Sequence, residues 1–307
     1  MEQPKYTSCL RPLNTELLVR ELRAGKAINL VGHPEAGRER MLDDIQACVT
    51  TVKHIRLNMK NYAGSYNALL ESIADQMGIT FNEKTSLGEL VGAISRESVK
   101  CFILIDYFDA VLDNPELDSQ YTRSFFDTLN SFKNKPNISL LCATEKPHEG
   151  SSIYINGKDN GASWLNFTTE GLLDLDQENI QIELDRQLAD NDLWKNTDTD
   201  TRQFYINGIF SDKHNYDFLC YVAKRFKSQN STDIHTSLVA DKVKRWRKGF
   251  KELQPEKTPI KRVRGLRKWI KGWGIVLRGK EISKWIAERK LGSKFFDLIK
   301  LLIKRKE

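Results

Sequence analysis

The features that mark exported, membrane-spanning and metal-centred proteins are missing from this chain of 307 residues. No stretch approaches the ~18 unbroken apolar residues of a membrane span, so no transmembrane helix is expected. Met1 to Leu13 contains Glu2 and several polar residues in place of an apolar core, so no secretory signal and a cytoplasmic location are expected. The five cysteines, Cys9, Cys48, Cys101, Cys142 and Cys220, are odd in number and far apart, and they read as reduced thiols. None has the paired spacing that holds zinc. The five histidines do not cluster either, so neither a metal site nor a Cys/His nucleophile pair is expected. Internal repeats and low-complexity tracts are absent.

What the chain does have is an uneven distribution of charge. It carries 48 Lys and Arg against 41 Asp and Glu, a net +7. Residues 241–307 hold 23 basic and 7 acidic side chains, so the tail carries +16 and the first 240 residues carry −9. With 40% hydrophobic and 29% charged residues, the composition is that of a globular protein with room for one large domain and a smaller one.

Residues 13–23 place Leu17, Leu18 and Leu22 on one face of a short helix, with Asn14 or Thr15 available as its cap and Gly25 as its breaker. Lys26 to Val31 reads as a buried strand, 37–49 as a helix with Met41, Leu42, Ile45 and Cys48 in register, and 52–57 as a second strand. Helices are expected at 66–77 and 86–94. An apolar strand at 100–106 follows, then a helix carrying Phe125, Phe126, Leu129 and Phe132, and a strand at 138–144. Apolar runs of β-type residues alternating with helical periods predict a parallel sheet covered on both faces, so the first 150 residues read as an α/β domain. Beyond His148 the expectation is a loop or hairpin around Ile153 and Ile155, a short extended piece within 164–175 and a helix at 177–188. An exposed connection at 190–200 and helices through 202–253 come next. The last helix bears a stripe of Val239, Val243, Trp246, Phe250 and Leu253, and Pro255 and Pro259 end it.

Between the first strand and the helix after it lies Gly32-His-Pro-Glu-Ala-Gly37-Arg38-Glu39. The spacing is that of a phosphate-binding loop, G-x-x-x-x-G followed by Lys and by Ser or Thr. In such a loop the glycines let successive N–H groups and a helix N-terminus face the phosphates, the Lys reaches their outer oxygens, and the hydroxyl holds Mg²⁺. Here Arg38 stands where Lys belongs and Glu39 where the hydroxyl belongs. Arg can meet a phosphate, although with a larger planar fork. Glu39 sets negative charge beside a triphosphate, and Glu35 adds a second carboxylate within the loop. Asp106 ends its strand at the sheet edge where such folds place ligands, in position to hold Mg²⁺ through water. Tyr107 follows it where a hydrolysing enzyme usually has Glu, and Asp109 is the next carboxylate. Thr144 is placed as a polar sensor of the terminal phosphate.

The order of these parts resembles the AAA-type and STAND P-loop ATPases, especially the bacterial group with an Arg-bearing segment before the first strand, here Cys9-Leu-Arg11-Pro-Leu. Ile105-Asp106-Tyr-Phe-Asp109 and Asn137 to Thr144 are similar to that family's second and third motifs. Trp164-Leu-Asn-Phe, the segment 172–179 and Gly208 resemble its transition into a helical or winged-helix lid, so the resemblance spans residues 9–230. It implies ATP and Mg²⁺ between core and lid, with assembly into homo-oligomers or partner binding controlled by nucleotide state. The cofactor-binding candidates are Gly32, Gly37, Arg38, Glu39, Asp106, Asp109 and Thr144. Losing the Lys, the Mg²⁺ hydroxyl and the Glu together removes much of the apparatus of hydrolysis, so weak or absent turnover is expected. The alternative is an active ATPase that uses Arg38.

In the tail, Arg262, Arg264, Arg267, Lys268, Lys271, Arg278 and Lys280 are interleaved with Trp269 and Trp273. Basic side chains neutralise phosphates while Trp stacks on bases, so these nine residues are the nucleic-acid-binding candidates. The same chemistry suits an anionic membrane surface. Residues 290–307 could lie in its interface as an amphipathic helix with Asp297, Lys300 and Lys304 on a narrow polar strip. The expected architecture is α/β: a parallel-sheet P-loop NTPase core at 1–163, a helical or winged-helix-like lid at 164–254, and a basic helical C-terminal module at 255–307. The expected function is that of an adaptor or regulator that binds nucleic acid and recruits a protein partner or effector, as relatives in mobile-element and defence systems do.

Overall fold

The computed structural model describes residues 6–82, 85–135, 137–229 and 236–254. The basic module expected at 255–307, its nine nucleic-acid-binding candidates, the stop at Pro255 and Pro259, and the amphipathic segment 290–307 lie outside them. The strands are β1 (Ala27–Val31), β2 (Lys53–Asn58), β3 (Cys101–Asp106), β4 (Ile138–Thr144), β5 (Ser152–Ile155), β6 (Lys158–Ala162) and β7 (Thr168–Gly171). Five of them form one sheet in the order β2-β3-β4-β1-β7, with every pair parallel. β5 and β6 make a separate antiparallel hairpin around Ile153 and Ile155.

The helices α1 (Pro12–Arg23), α2 (Arg38–Cys48), α3 (Tyr66–Met77), α4 (Leu87–Ser95) and α5 (Arg123–Ser131) cover this sheet. The two faces follow from the strand period of two. Cys101, Ile103 and Ile105 of β3 pack with Ile138, Leu140 and Cys142 of β4 against α3, α4 and α5. Phe102, Leu104, Leu141 and Ala143 point the other way, toward Leu18 and Leu22 of α1 and Leu42 and Ile45 of α2. Strands buried on both faces are apolar at nearly every position, which is why these runs are close to continuous. Ser86 and Glu89 form a capping box that starts α4.

α1 begins earlier than its expected cap, with Pro12 in the first turn. Asn14 and Thr15 are buried within that helix: Asn14 accepts from the Leu173 N–H at 3.1 Å, and Thr15 donates to the Arg11 carbonyl at 2.9 Å. β7, the extended piece expected within 164–175, pairs with β1 and completes the sheet, so the last core strand lies beyond the expected boundary at residue 163.

The remaining described elements are the helices α6 (Gln177–Gln187), α7 (Asp192–Lys195), α8 (Thr199–Phe210), α9 (Asn215–Lys227) and α10 (Thr236–Leu253). Of the two lid forms expected, the described residues adopt the helical one. Their core gathers Ile180, Leu184, Trp194, Tyr205, Phe218, Phe226 and Trp246, with Leu10 from the N-terminal segment. The expectation of an exposed connection at 190–200 is corrected here. Asn191 caps α7, which buries Leu193 and Trp194, and the Trp194 indole donates to Asp185 at 2.7 Å. The polar composition of this stretch comes from caps and one exposed face, which hide two anchors. In α10, Val239, Val243, Trp246 and Phe250 are buried as expected, whereas Leu253 is 70% exposed. No helix among the described residues is long and apolar enough to cross a membrane.

Candidate functional site: a phosphate-loop geometry closed by its own side chains

The loop after β1 sits at the C-terminal edge of the parallel sheet, where open α/β folds place their ligands. Gly32 leaves β1 with its N–H bonded to the Thr144 carbonyl at 2.9 Å. Pro34 to Ala36 make one 3₁₀ turn, and Gly37 reverses the chain into α2 at φ +86°, a left-handed conformation that glycine adopts without a steric cost. Both glycines of the motif also face close neighbours. A Cβ on Gly32 would lie 2.7 Å from the Leu172 side chain, and one on Gly37 would lie 2.8 Å from the Tyr216 ring. Leu172, which follows β7, and Tyr216 of α9 thus pack directly against the two glycines of the loop.

Arg38, the first residue of α2, is fully buried and turned beneath the loop. Its Nε donates to Asp106 Oδ1 at 2.8 Å, its Nη1 donates to the Gly32 carbonyl at 3.1 Å, and Nη1 lies 3.7 Å from Asp109. Its Nη2 is buried without a hydrogen-bond partner. Asp106 Oδ1 is shared further: it accepts the Tyr107 N–H at 2.8 Å. Tyr107 has φ +51°, an uncommon conformation for a bulky residue, and its ring lies against the Arg38 guanidinium at 4.8 Å with the Lys60 ammonium at 3.4 Å. The aromatic at this position therefore shields the ion pair from solvent. Asp109 accepts the Glu145 N–H at 2.9 Å, and burial pushes its carboxyl above the usual range.

The other candidates complete the picture. Thr144 is buried, and its hydroxyl accepts from the Asn29 side-chain amide at 2.7 Å. Asn29 in turn accepts from the His148 N–H at 3.0 Å, so the expected sensor belongs to a buried polar chain behind the loop. Glu39 is exposed in the first turn of α2, where a carboxylate is favourable beside the helix N-terminus. Gly32, Gly37, Arg38, Asp106, Asp109 and Thr144 thus converge, and Glu39 faces outward.

Arg11 fastens the loop from behind. It is buried, donating to the Leu173 carbonyl at 2.5 Å and to the Ala36 carbonyl at 2.6 Å, and burial pulls its guanidinium down to about 10. A second set of ionic contacts joins α2 to the helical part. Arg40 donates to Asp44 and to Glu183, each at 2.8 Å. Burial of Glu183 works against its charge, yet hydrogen bonds from Arg186 and Gln187 and the charge of Arg40 hold its carboxyl below the usual range.

Two residue groups escaped the sequence reading. Histidines 181 positions apart do meet: the His33 and His214 rings lie 5.3 Å apart, and Glu35 contacts both imidazoles. The expectation that no histidines cluster is corrected by the helical part folding over the loop, which brings the N-cap of α9 to His33. Cys9 and Cys48 also meet, Sγ to Sγ at 3.0 Å, as free thiols, and burial pushes Cys9 up to about 12.

No protein-family model matches the chain, and no curated protein does either. Among solved structures, the Aeropyrum pernix ORC2 protein in its ADPNP-ADP complexes is similar at 13% identity with a TM-score of 0.50, covering 76% of this chain and 67% of that one. The two share a fold: a parallel-sheet α/β core of the P-loop NTPase type followed by a helical part. Weaker likenesses are domain III of the Thermotoga maritima replication initiation protein DnaA (12% identity, TM-score 0.47, 79% of this chain and 91% of that one) and Drosophila ORC bound to DNA (15%, 0.43, 76% and 60%). The chain thus spans about three-fifths of the ORC chain.

A P-loop fold of this kind implies Mg²⁺ and ATP, and the residues present do not fit them. The carboxylate placed to hold Mg²⁺ is consumed by Arg38 and the Tyr107 N–H, the cation placed to reach phosphate is turned beneath the loop, and both glycines are covered by side chains.

Proposed function

We propose that this chain uses an AAA+-type P-loop core as a scaffold without ATP hydrolysis. It acts as an adaptor or regulator, binding nucleic acid through its basic C-terminal module, residues 255–307, and recruiting a protein partner. The observation that supports the scaffold reading is the buried Arg38–Asp106 pair, which replaces the Lys–phosphate and Asp–Mg²⁺ contacts of a working site with a contact internal to the protein. Phosphoryl transfer depends on positioned charge, and here that charge is already neutralised. The nucleic-acid reading rests on the +16 tail with tryptophans among its cations. A bacterial STAND-type setting, a cytoplasmic location and homo-oligomer formation belong to the same proposal and rest on the sequence resemblance.

Two measurements test it. Full-length protein with Mg²⁺ and ATP is expected to release no phosphate above background. Phosphate release that disappears in both Arg38→Ala and Asp106→Ala would establish the active ATPase instead. Labelled DNA or RNA is expected to bind at low ionic strength and to dissociate as salt is added. Reversing Arg262, Arg264, Arg267 and Lys268 to Glu flattens the salt slope by about 0.7–0.9 for each phosphate that is no longer neutralised. Absence of salt-sensitive binding refutes the nucleic-acid reading, and capture by anionic vesicles that is lost on deleting 290–307 replaces it with a membrane surface.

A further inference from the structure

The three groups that meet where the loop touches α9 are two imidazoles and a carboxylate. One donor atom from each of His33, Glu35 and His214 lies within 4.8 Å of those of the other two. Each is held by its own local structure. His33 precedes Pro34, which keeps it extended, at φ −69° and ψ 139°. Glu35 sits in the 3₁₀ turn that follows. His214 caps α9, and its N–H donates to Asp212 at 3.1 Å. Both imidazole Nδ1 atoms face the same carboxylate oxygen. The His214 Nδ1 to Glu35 Oε2 distance is 3.3 Å, and both atoms are shielded from solvent. The side chains keep 33%, 24% and 14% of their exposure for His33, Glu35 and His214, so the cluster lies at the protein surface with its donor atoms turned inward.

We propose that His33, Glu35 and His214 bind one divalent transition-metal ion of the zinc class, and that this ion pins the phosphate loop to α9. Two imidazoles and one carboxylate are a donor set that zinc accepts, with water in the fourth position. Nitrogen-rich sites of this kind select zinc, nickel or copper over magnesium and calcium, which prefer all-oxygen sites. The surrounding charge favours a cation too. Asp217, one turn into α9, acts on the same corner as Glu35, and a bound cation would offset the repulsion between the two carboxylates. Tyr216 lies two residues after His214, so a metal that fixes His214 to His33 also holds Tyr216 over Gly37. The site is independent of any reading of the basic tail.

The rival is a proton-linked His–Glu–His cluster without metal. The test uses full-length protein stripped with EDTA. Zinc titrated by calorimetry is expected to bind one ion per chain in the micromolar range or tighter, and to raise the thermal midpoint. Cobalt should give the visible ligand-field absorption of a tetrahedral or five-coordinate centre. His33→Asn, Glu35→Gln and His214→Asn are each expected to weaken zinc by about 100-fold or more, since even outer contacts to a metal site are worth 10–100-fold. Their metal-free melting should remain cooperative, while His54→Asn, away from the site, binds as the parent does. Absence of saturable binding or of cobalt bands in the parent protein overturns the proposal, whatever the variants do. So does binding that persists in all three variants.

Discussion

Replacing Asp106 by Ala is expected to destabilise the fold by about 3–5 kcal/mol, the range for removing one partner from a buried ion pair. The size follows from the surroundings of Arg38. Its side chain has no exposure and that of Asp106 has 4%, so water cannot replace the missing carboxylate. The other carboxylate within reach, Asp109, is 3.7 Å away and already accepts the Glu145 N–H. The Tyr107 N–H loses its acceptor in the same variant, which accounts for about 0.5–1.5 kcal/mol of the total. Urea unfolding at constant slope is the assay, and the thermal midpoint should fall by on the order of 10 °C. Because the pair is buried, the loss should change little between low and high salt. A double variant, Arg38→Met with Asp106→Leu, is expected to recover most of the stability, since apolar replacement of a buried pair is often neutral. A loss below about 1 kcal/mol, the scale of an exposed ion pair, would refute the reasoning. So would a loss that salt abolishes.

Gly37→Ala is expected to cost about 2–4 kcal/mol, combining a left-handed backbone with a Cβ driven into the Tyr216 ring. Tyr216→Ala in the same chain should return the packing part and leave the backbone part, which a double-mutant cycle in urea resolves. Asp217 carries a pH prediction, read in the presence of chelator. Burial, then the charge of Glu35, pushes its carboxyl up from 3.8 to about 6. The folded state then holds a proton that the unfolded state has released, so stability falls as pH rises from about 4 through 6. After solvent screening the drop is about 1–2 kcal/mol, and Asp217→Asn should flatten that part of the profile. A profile unchanged in Asp217→Asn would show that another group carries the slope.

Much of the sheet was legible because its strands are buried on both faces. Ala27–Val31 and Ile138–Thr144 stand out as mostly apolar runs, read from the sequence as 26–31 and 138–144, within one residue of the structure. β7 did not stand out in the same way. Thr168-Thr-Glu-Gly171 is polar and mostly exposed, and it becomes a sheet strand only because β1 offers it a free edge. α7 was hidden for a related reason: four residues carry no period, and Trp194 finds its burial against α8 and α9. At the loop, the glycine spacing and the odd residues Arg38 and Tyr107 were visible. Their partnership was not, because β4 lies between β1 and β3, and only the sheet order puts Asp106 within reach of Arg38.

The sequence by itself determined that this is an α/β chain with phosphate-loop spacing, a changed cation and a strongly basic tail, since apolar runs, glycine spacing and charge are properties of short segments. Only the tertiary structure decided what the loop has become. Tyr216, Leu172 and His214 come from segments remote along the chain, and packing brings them over Gly37, Gly32 and His33. Whether a loop of this spacing opens to a ligand or is closed by its own protein depends on what is folded above it. A local motif carries no record of that.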